Sequence, residues 1–148
     1  MISESTYNKN SSSPVSALDV RKLILSVDDE LGLLYSRYQL LAASGYAVLS
    51  ATDGVQALQI FGNSPVDLVL LDFALQGMDG GVVAEAMKEF KPRIPIIMVS
   101  GIEVPERCLA IVNSYVQKGE GPEPLLKSIQ QLLTSSAQPR LVPRQAGS

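Results

Sequence analysis

Short apolar runs alternate with amphipathic stretches along most of this chain. The runs are Lys22–Val27, Ala47–Ala51, Leu68–Leu71, Ile94–Val99 and a weaker one at Ser114–Val116, each of strand length and mostly rich in Leu, Ile and Val. They predict five strands. Between them lie residues at helical spacing: Leu34, Tyr38 and Leu41; Val83, Met87 and Phe90; Leu126, Ile129 and Leu133. These predict helices with one buried stripe each. Gly45 supplies a stop signal after the first, and Pro105 and Pro122 stand where later helices begin. Strict alternation, with strands apolar on both faces, predicts an α/β doubly wound domain whose parallel sheet has helices on both sides. The packed domain spans residues 20–133. The serine-rich stretch 1–19 is too polar to offset the entropy of ordering and reads as a flexible arm. Residues 134–148, with two prolines and two arginines, read as a flexible tail whose LVPR resembles a protease-cleavage linker.

Composition narrows the chemistry. The chain has 148 residues, 46% hydrophobic and 18% charged, enough for one domain with a real core. A net charge of −3 provides no field to hold nucleic acid or an anionic membrane. The absence of histidine excludes His-based triads, His-ligated zinc and a phosphohistidine on this chain. Cys108 is the single cysteine, which excludes an internal disulfide, and without a histidine to activate it the residue reads as a small buried apolar side chain. No apolar run reaches membrane-spanning length, so the expected location is cytoplasmic.

The polar residues lie where the strands end. Asp28, Asp29 and Glu30 follow the first strand, Asp72 the third, Ser100 and Gly101 the fourth, and Lys118 the fifth. In open α/β sheets, ligands bind at the carboxyl ends of the strands. Taken singly, each residue has a plainer role: Asp28, Asp29 or Ser100 as a helix cap, Asp72 as a turn former, Lys118 as a solvated amine. Together, the carboxylates converge and repel unless a cation joins them, and a hard oxygen set suits Mg²⁺. If Asp72 is a nucleophile toward phosphorus, the Ser100 hydroxyl and the Lys118 ammonium can each meet an equatorial phosphoryl oxygen.

The segments LILSVDDE and DLVLLDFALQGMDG, the pair Ser100-Gly101 and the YVQKG around Lys118 resemble, in order, the receiver domain of bacterial two-component response regulators. The resemblance implies a flavodoxin-like sheet in the order 2-1-3-4-5. It also implies that Asp72 is the phosphoacceptor, and that Mg²⁺, with Mn²⁺ as a substitute, is held by Asp28, Asp29, Asp72 and the backbone carbonyl of Ala74. Ser100 takes the switch hydroxyl position, Lys118 pairs with phosphate, Gly101 leaves room for the phosphoryl group, and the Tyr115 ring moves inward on activation. Ala74 and Ile102 line the approach of water and set the rate of hydrolysis. Two positions depart from the family pattern, where proline is usual: Gln76 in the turn after the phosphoacceptor, and Gly119 after the lysine. The stretch from Ser100 to Lys118 is short, which predicts a shortened fourth helix.

The implied function is a stand-alone receiver, phosphorylated on Asp72 by a sensor histidine kinase or histidine phosphotransfer protein and signalling through an output protein, with no nucleic-acid or membrane partner. It is not expected to be an enzyme beyond catalysing its own phosphorylation and dephosphorylation. Three other readings compete with it: a phosphorylation-independent binding module, a receiver excised from a hybrid kinase or larger regulator, and a Mg²⁺-dependent phosphohydrolase of the haloacid-dehalogenase type. The last places a second Asp two residues after the first, where this chain has Ala74, so no general acid remains.

Overall fold

The structure of the protein, a computed structural model, describes residues 20–146, with side-chain surroundings described as far as residue 135. The expected N-terminal arm lies outside these residues. Five strands, β1 (Leu23–Val27), β2 (Ala47–Ala51), β3 (Leu68–Asp72), β4 (Ile96–Ser100) and β5 (Ser114–Gln117), alternate with helices α1 (Leu31–Ala43), α2 (Gly54–Asn63), α3 (Gly80–Phe90), α4 (Glu106–Leu109) and α5 (Glu123–Ala146). All strand pairs are parallel, in the order β2-β1-β3-β4-β5. This is the doubly wound, flavodoxin-like sheet that the pattern and the resemblance implied. β1, β3 and β4 are buried along their whole length, so their unbroken Leu, Ile and Val content is the composition a strand covered on both faces needs.

Alternate residues of the central strands feed two separate apolar cores. Leu25, Val27, Val69, Leu71 and Met98 pack with Phe61, Val83 and Met87 of α2 and α3. Ile24, Leu68, Leu70, Ile97 and Val99 pack with Leu41 of α1 and Ile129 of α5. Helix α1 ends as its glycine predicts. Gly45 adopts φ +97°, its N–H donates to the Ala42 carbonyl, and the Tyr46 N–H donates to the Leu41 carbonyl. This paired closure of the last turn is one that a glycine makes without steric cost.

Some predicted boundaries and stripes differ. β4 begins at Ile96 rather than Ile94, because the Ile94 N–H is used in a turn to the Lys91 carbonyl and Pro95 has no N–H to give. Tyr38 and Phe90 are exposed. Arg37 occupies the buried stripe of α1 in place of Tyr38, and Phe90 lies under the Lys91 ammonium, 5.7 Å from its ring centroid. Leu133 is the last buried apolar residue among those whose side-chain surroundings are described. Helix α5 runs on to Ala146, so the segment after Leu133, read from the sequence as a flexible tail, has helical backbone to that point. α4 is a single turn of four residues, as the short connection required. No helix among the described residues is long and apolar enough to cross a membrane.

Candidate functional site

The polar group forms because each strand delivers its last residue to the same edge. Asp72 ends β3, whereas Asp28 and Asp29 follow β1, its neighbour in the sheet. One carboxylate oxygen from each of Asp28, Asp29 and Asp72 lies within 4.8 Å of the others. Asp28 and Asp72 are buried and Asp29 is exposed, so the cluster opens to solvent on the Asp29 side. None of the three caps α1, whose N-cap is Glu30 with no side-chain cap bond. Asp28 Oδ1 instead accepts from the Glu30 N–H at 2.9 Å, fixing the turn.

Lys118 comes from beyond β5. Its backbone N–H donates to the Ser100 carbonyl at 2.9 Å. Its ammonium lies 3.1 Å from Asp28 Oδ2 and 3.2 Å from Asp72 Oδ1. Gly119, where the family usually has proline, adopts φ +90°, a conformation that neither proline nor most L residues can take. The glycine therefore makes a different turn, and the lysine is still delivered to the carboxylates. Burial first, and then the charge of Asp28, push the Asp72 carboxyl above its ordinary range, while Lys118 pulls it back down. The Lys118 ammonium thus favours the charged form of this buried carboxyl.

Ala74 sits in the loop after Asp72 and its N–H donates to Asp72 Oδ1 at 3.4 Å. That loop is pressed against the start of α3: a side chain at Gly80 would meet the Asp72 carbonyl oxygen at 2.6 Å and Phe73 Cα at 2.8 Å. Gly80 is thus a site residue that was not singled out from sequence. Gly101 has more freedom, since a Cβ there would reach only Lys118, at 3.8 Å.

Ser100 is fully buried, but its hydroxyl is turned onto its own loop. It donates to the Ile102 carbonyl at 2.8 Å and accepts from the Ile102 N–H at 3.0 Å. Ile102 is exposed, with its backbone held by these two bonds. Tyr115 is 38% exposed and borders an open groove with Val104, Pro105, Glu106 and Leu109. The structure therefore brings Asp28, Asp29, Asp72 and Lys118 together, with Ser100 and Tyr115 outside that contact group. Cys108 is buried in the α2–α3 core, facing Gly81.

Arg37 was also missed. It is 8% exposed, and its Nη1 lies 3.3 Å from Asp28 Oδ2. The available signal was an arginine at helical spacing between Leu34 and Leu41, which the more apolar Tyr38 obscured.

Two buried carboxylates and one exposed one, beside the cations Lys118 and Arg37, form an oxygen donor set of the kind suited to a hard divalent ion. The family model for the response regulator receiver domain matches residues 24–130, and the chain belongs to that family. It is 36% identical to a probable transcriptional regulator, ycf27, of Cyanophora paradoxa over 82% of this chain and 52% of that protein. It is also 36% identical to sporulation initiation phosphotransferase F of Bacillus subtilis over 52% of this chain and 62% of that one. The chain thus spans about half the length of the first of these relatives. Among solved structures it resembles a response regulator receiver domain protein of Methanospirillum hungatei, with TM-score 0.75, 28% identity and coverage of 80% and 98% of the two chains. It also resembles the response regulator TrrA of Thermotoga maritima, solved in complex with Mg²⁺ and BeF, with TM-score 0.72, 28% identity and coverage of 75% and 98%.

Proposed function

We propose that Asp72 is the phosphoacceptor of this receiver domain and that the chain signals by phosphorylation-dependent protein binding. The observation that carries this reading is the placement of the Lys118 ammonium between Asp28 and Asp72, beside a third carboxylate, at the carboxyl edge of the sheet. Asp28, Asp29 and Asp72, with the carbonyl of Ala74, are the residues that would hold Mg²⁺. When bound, the ion supplies charge neutralisation for an incoming phosphoryl group.

The family it belongs to makes the donor the phosphohistidine of a sensor kinase or of a phosphotransfer protein, and this sequence has no histidine of its own to serve. One Asp72 oxygen forms a bond to phosphorus while the P–N bond of the donor breaks, and the imidazole nitrogen leaves with the electron pair. Lys118 stays beside Asp72 and pairs with an oxygen of the transferred group. Ser100 must exchange its bond to the Ile102 carbonyl for one to the phosphoryl group, releasing the loop before α4. Tyr115, half exposed over the groove beside α4, then has space to turn inward. The later hydrolysis returns Asp72 and inorganic phosphate, and no other substrate is turned over.

The greater length of the curated relatives favours a second reading, in which this chain is the receiver part of a longer regulator. The phosphoryl chemistry is the same in both.

Intact mass after incubation with Mg²⁺ and acetyl phosphate tests the reading. A single phosphoryl adduct that is lost in Asp72→Asn and without Mg²⁺ is the expected result. An adduct that persists in Asp72→Asn places the acceptor elsewhere.

A further inference from the structure

Asp28 Oδ2 accepts from Arg37 Nη1 at 3.3 Å and is ion-paired with Lys118 Nζ at 3.1 Å. Asp28 Oδ1 accepts from the Glu30 N–H. A carboxylate oxygen has about two lone-pair sites, so a metal ion entering at Oδ2 meets two cations already crowded against that oxygen. One of the two donors must withdraw before the ion can bind through this oxygen. Their surroundings decide which one does. Lys118 is partly exposed and has a second acceptor in Asp72. Arg37 is held in the buried stripe of α1 between Leu34 and Leu41, and among the described residues its recorded acceptor is Asp28 alone. A guanidinium keeps its charge at any ordinary pH and gives up a buried carboxylate only at high cost.

We propose that Arg37 is a positioning residue of the acidic site: it holds Asp28 in place from the α1 side, stays there when Lys118 leaves Asp28 for Asp72, and lowers the affinity of the site for a divalent cation. With Asp28, Asp29 and Asp72 set against Lys118 and Arg37, the five side chains carry one net negative charge. A site without the arginine carries two. The permanent second cation keeps the site from being held closed by metal alone, so that the ion binds firmly only together with a phosphoryl group that adds negative charge.

The inference rests on the metal-site reading above, and its test separates the two. Mn²⁺ serves as the probe, with free ion counted by electron paramagnetic resonance in the absence of any phosphodonor. Removing a unit positive charge this close to the ion is expected to tighten binding by about tenfold in Arg37→Met. Arg37→Gln keeps an N–H donor for Asp28 without the charge, is the milder substitution for folding, and is expected to shift in the same direction. Arg37→Lys, which keeps the charge, is expected to bind as weakly as the unaltered protein. A merely structural arginine gives the opposite pattern, because disordering Asp28 loosens the metal. Unchanged or weaker Mn²⁺ binding in folded Arg37→Met or Arg37→Gln overturns the role of Arg37 and leaves the metal site standing. No Mn²⁺ binding by the unaltered protein or by any variant overturns both.

Discussion

The Lys118 ammonium lies 3.2 Å from Asp72 Oδ1, although the two residues come from strands that are not neighbours in the sheet. The connection runs through β4, where the Ser100 carbonyl holds the Lys118 N–H. Removing this cation leaves Asp72 facing Asp28 with nothing positive between them. Lys118→Met is expected to lower the rate of phosphorylation by acetyl phosphate about 100-fold, the usual order for losing a positioned charged donor. Rates of adduct formation by intact mass, with circular dichroism to verify the fold, check this. An unchanged rate would mean that the ammonium does not meet the phosphoryl group.

The raised pKa of Asp72 has a consequence for stability. Between the ordinary carboxylate value and its raised folded value, the folded state binds a proton that the unfolded chain has lost. Stability from this group therefore falls as the pH rises through that window, and above it the full cost of the buried charge is present. Asp72→Asn in metal-free buffer is expected to melt a few degrees higher than the unaltered protein at neutral pH. The gap should close as the pH approaches about 3.9. Thermal melts across the pH range measure this, and a lower melting temperature for Asp72→Asn at neutral pH would show that the charged form is favoured by folding.

Gly119 gives a sharper test of the local backbone. At φ +90° a β-carbon is strained, and Gly119→Ala is expected to cost about 1–2 kcal/mol. Gly119→Pro restores the residue usual in the family, yet it should destabilise further, since proline fixes φ near −65°. Urea unfolding midpoints decide between the two, and a proline variant at least as stable as the unaltered protein would mean that the turn can be rebuilt.

Much of this was legible in the sequence because it depends on pattern and on short segments. Five apolar runs fixed the sheet. Asp28, Asp29 and Asp72 could be placed at one edge because strand ends in a parallel sheet face the same way. Arg37 was not legible, because apolarity ranks Tyr38 above it and only the Asp28 carboxylate beneath α1 makes burial of the guanidinium favourable. Gly80 was missed for a similar reason: its constraint is the Asp72 carbonyl, which approaches only after the β3–α3 loop has folded back. The length of α5 was hidden by Pro139 and Pro143, which read as breakers. The direction of the Ser100 hydroxyl is a rotamer choice, set by the Ile102 backbone and by nothing in the pattern.

The family resemblance makes Ile102 a position expected to set the lifetime of the phosphorylated form. It is 57% exposed and its backbone is held by Ser100, and its side chain carries no group that can orient water if, as the family resemblance implies, it lines the approach to the phosphoryl group. Neither Ala74 nor Ile102 can act as an acid or base, and slow to moderate hydrolysis is expected. Ile102→Glu is expected to shorten the half-life of the phosphorylated protein several-fold, followed by the decay of the adduct mass after the phosphodonor is removed. Equal lifetimes would count against a role for this position.

Chemical mapping of the acceptor is the most direct measurement. Borohydride reduces an aspartyl phosphate to homoserine, leaving a permanent mark at the modified residue. After phosphorylation with Mg²⁺ and acetyl phosphate, reduction and peptide mass analysis, homoserine at position 72 alone is the expected result. Homoserine at position 28 or 29, or at none of the three while the adduct forms, would contradict the assignment of Asp72.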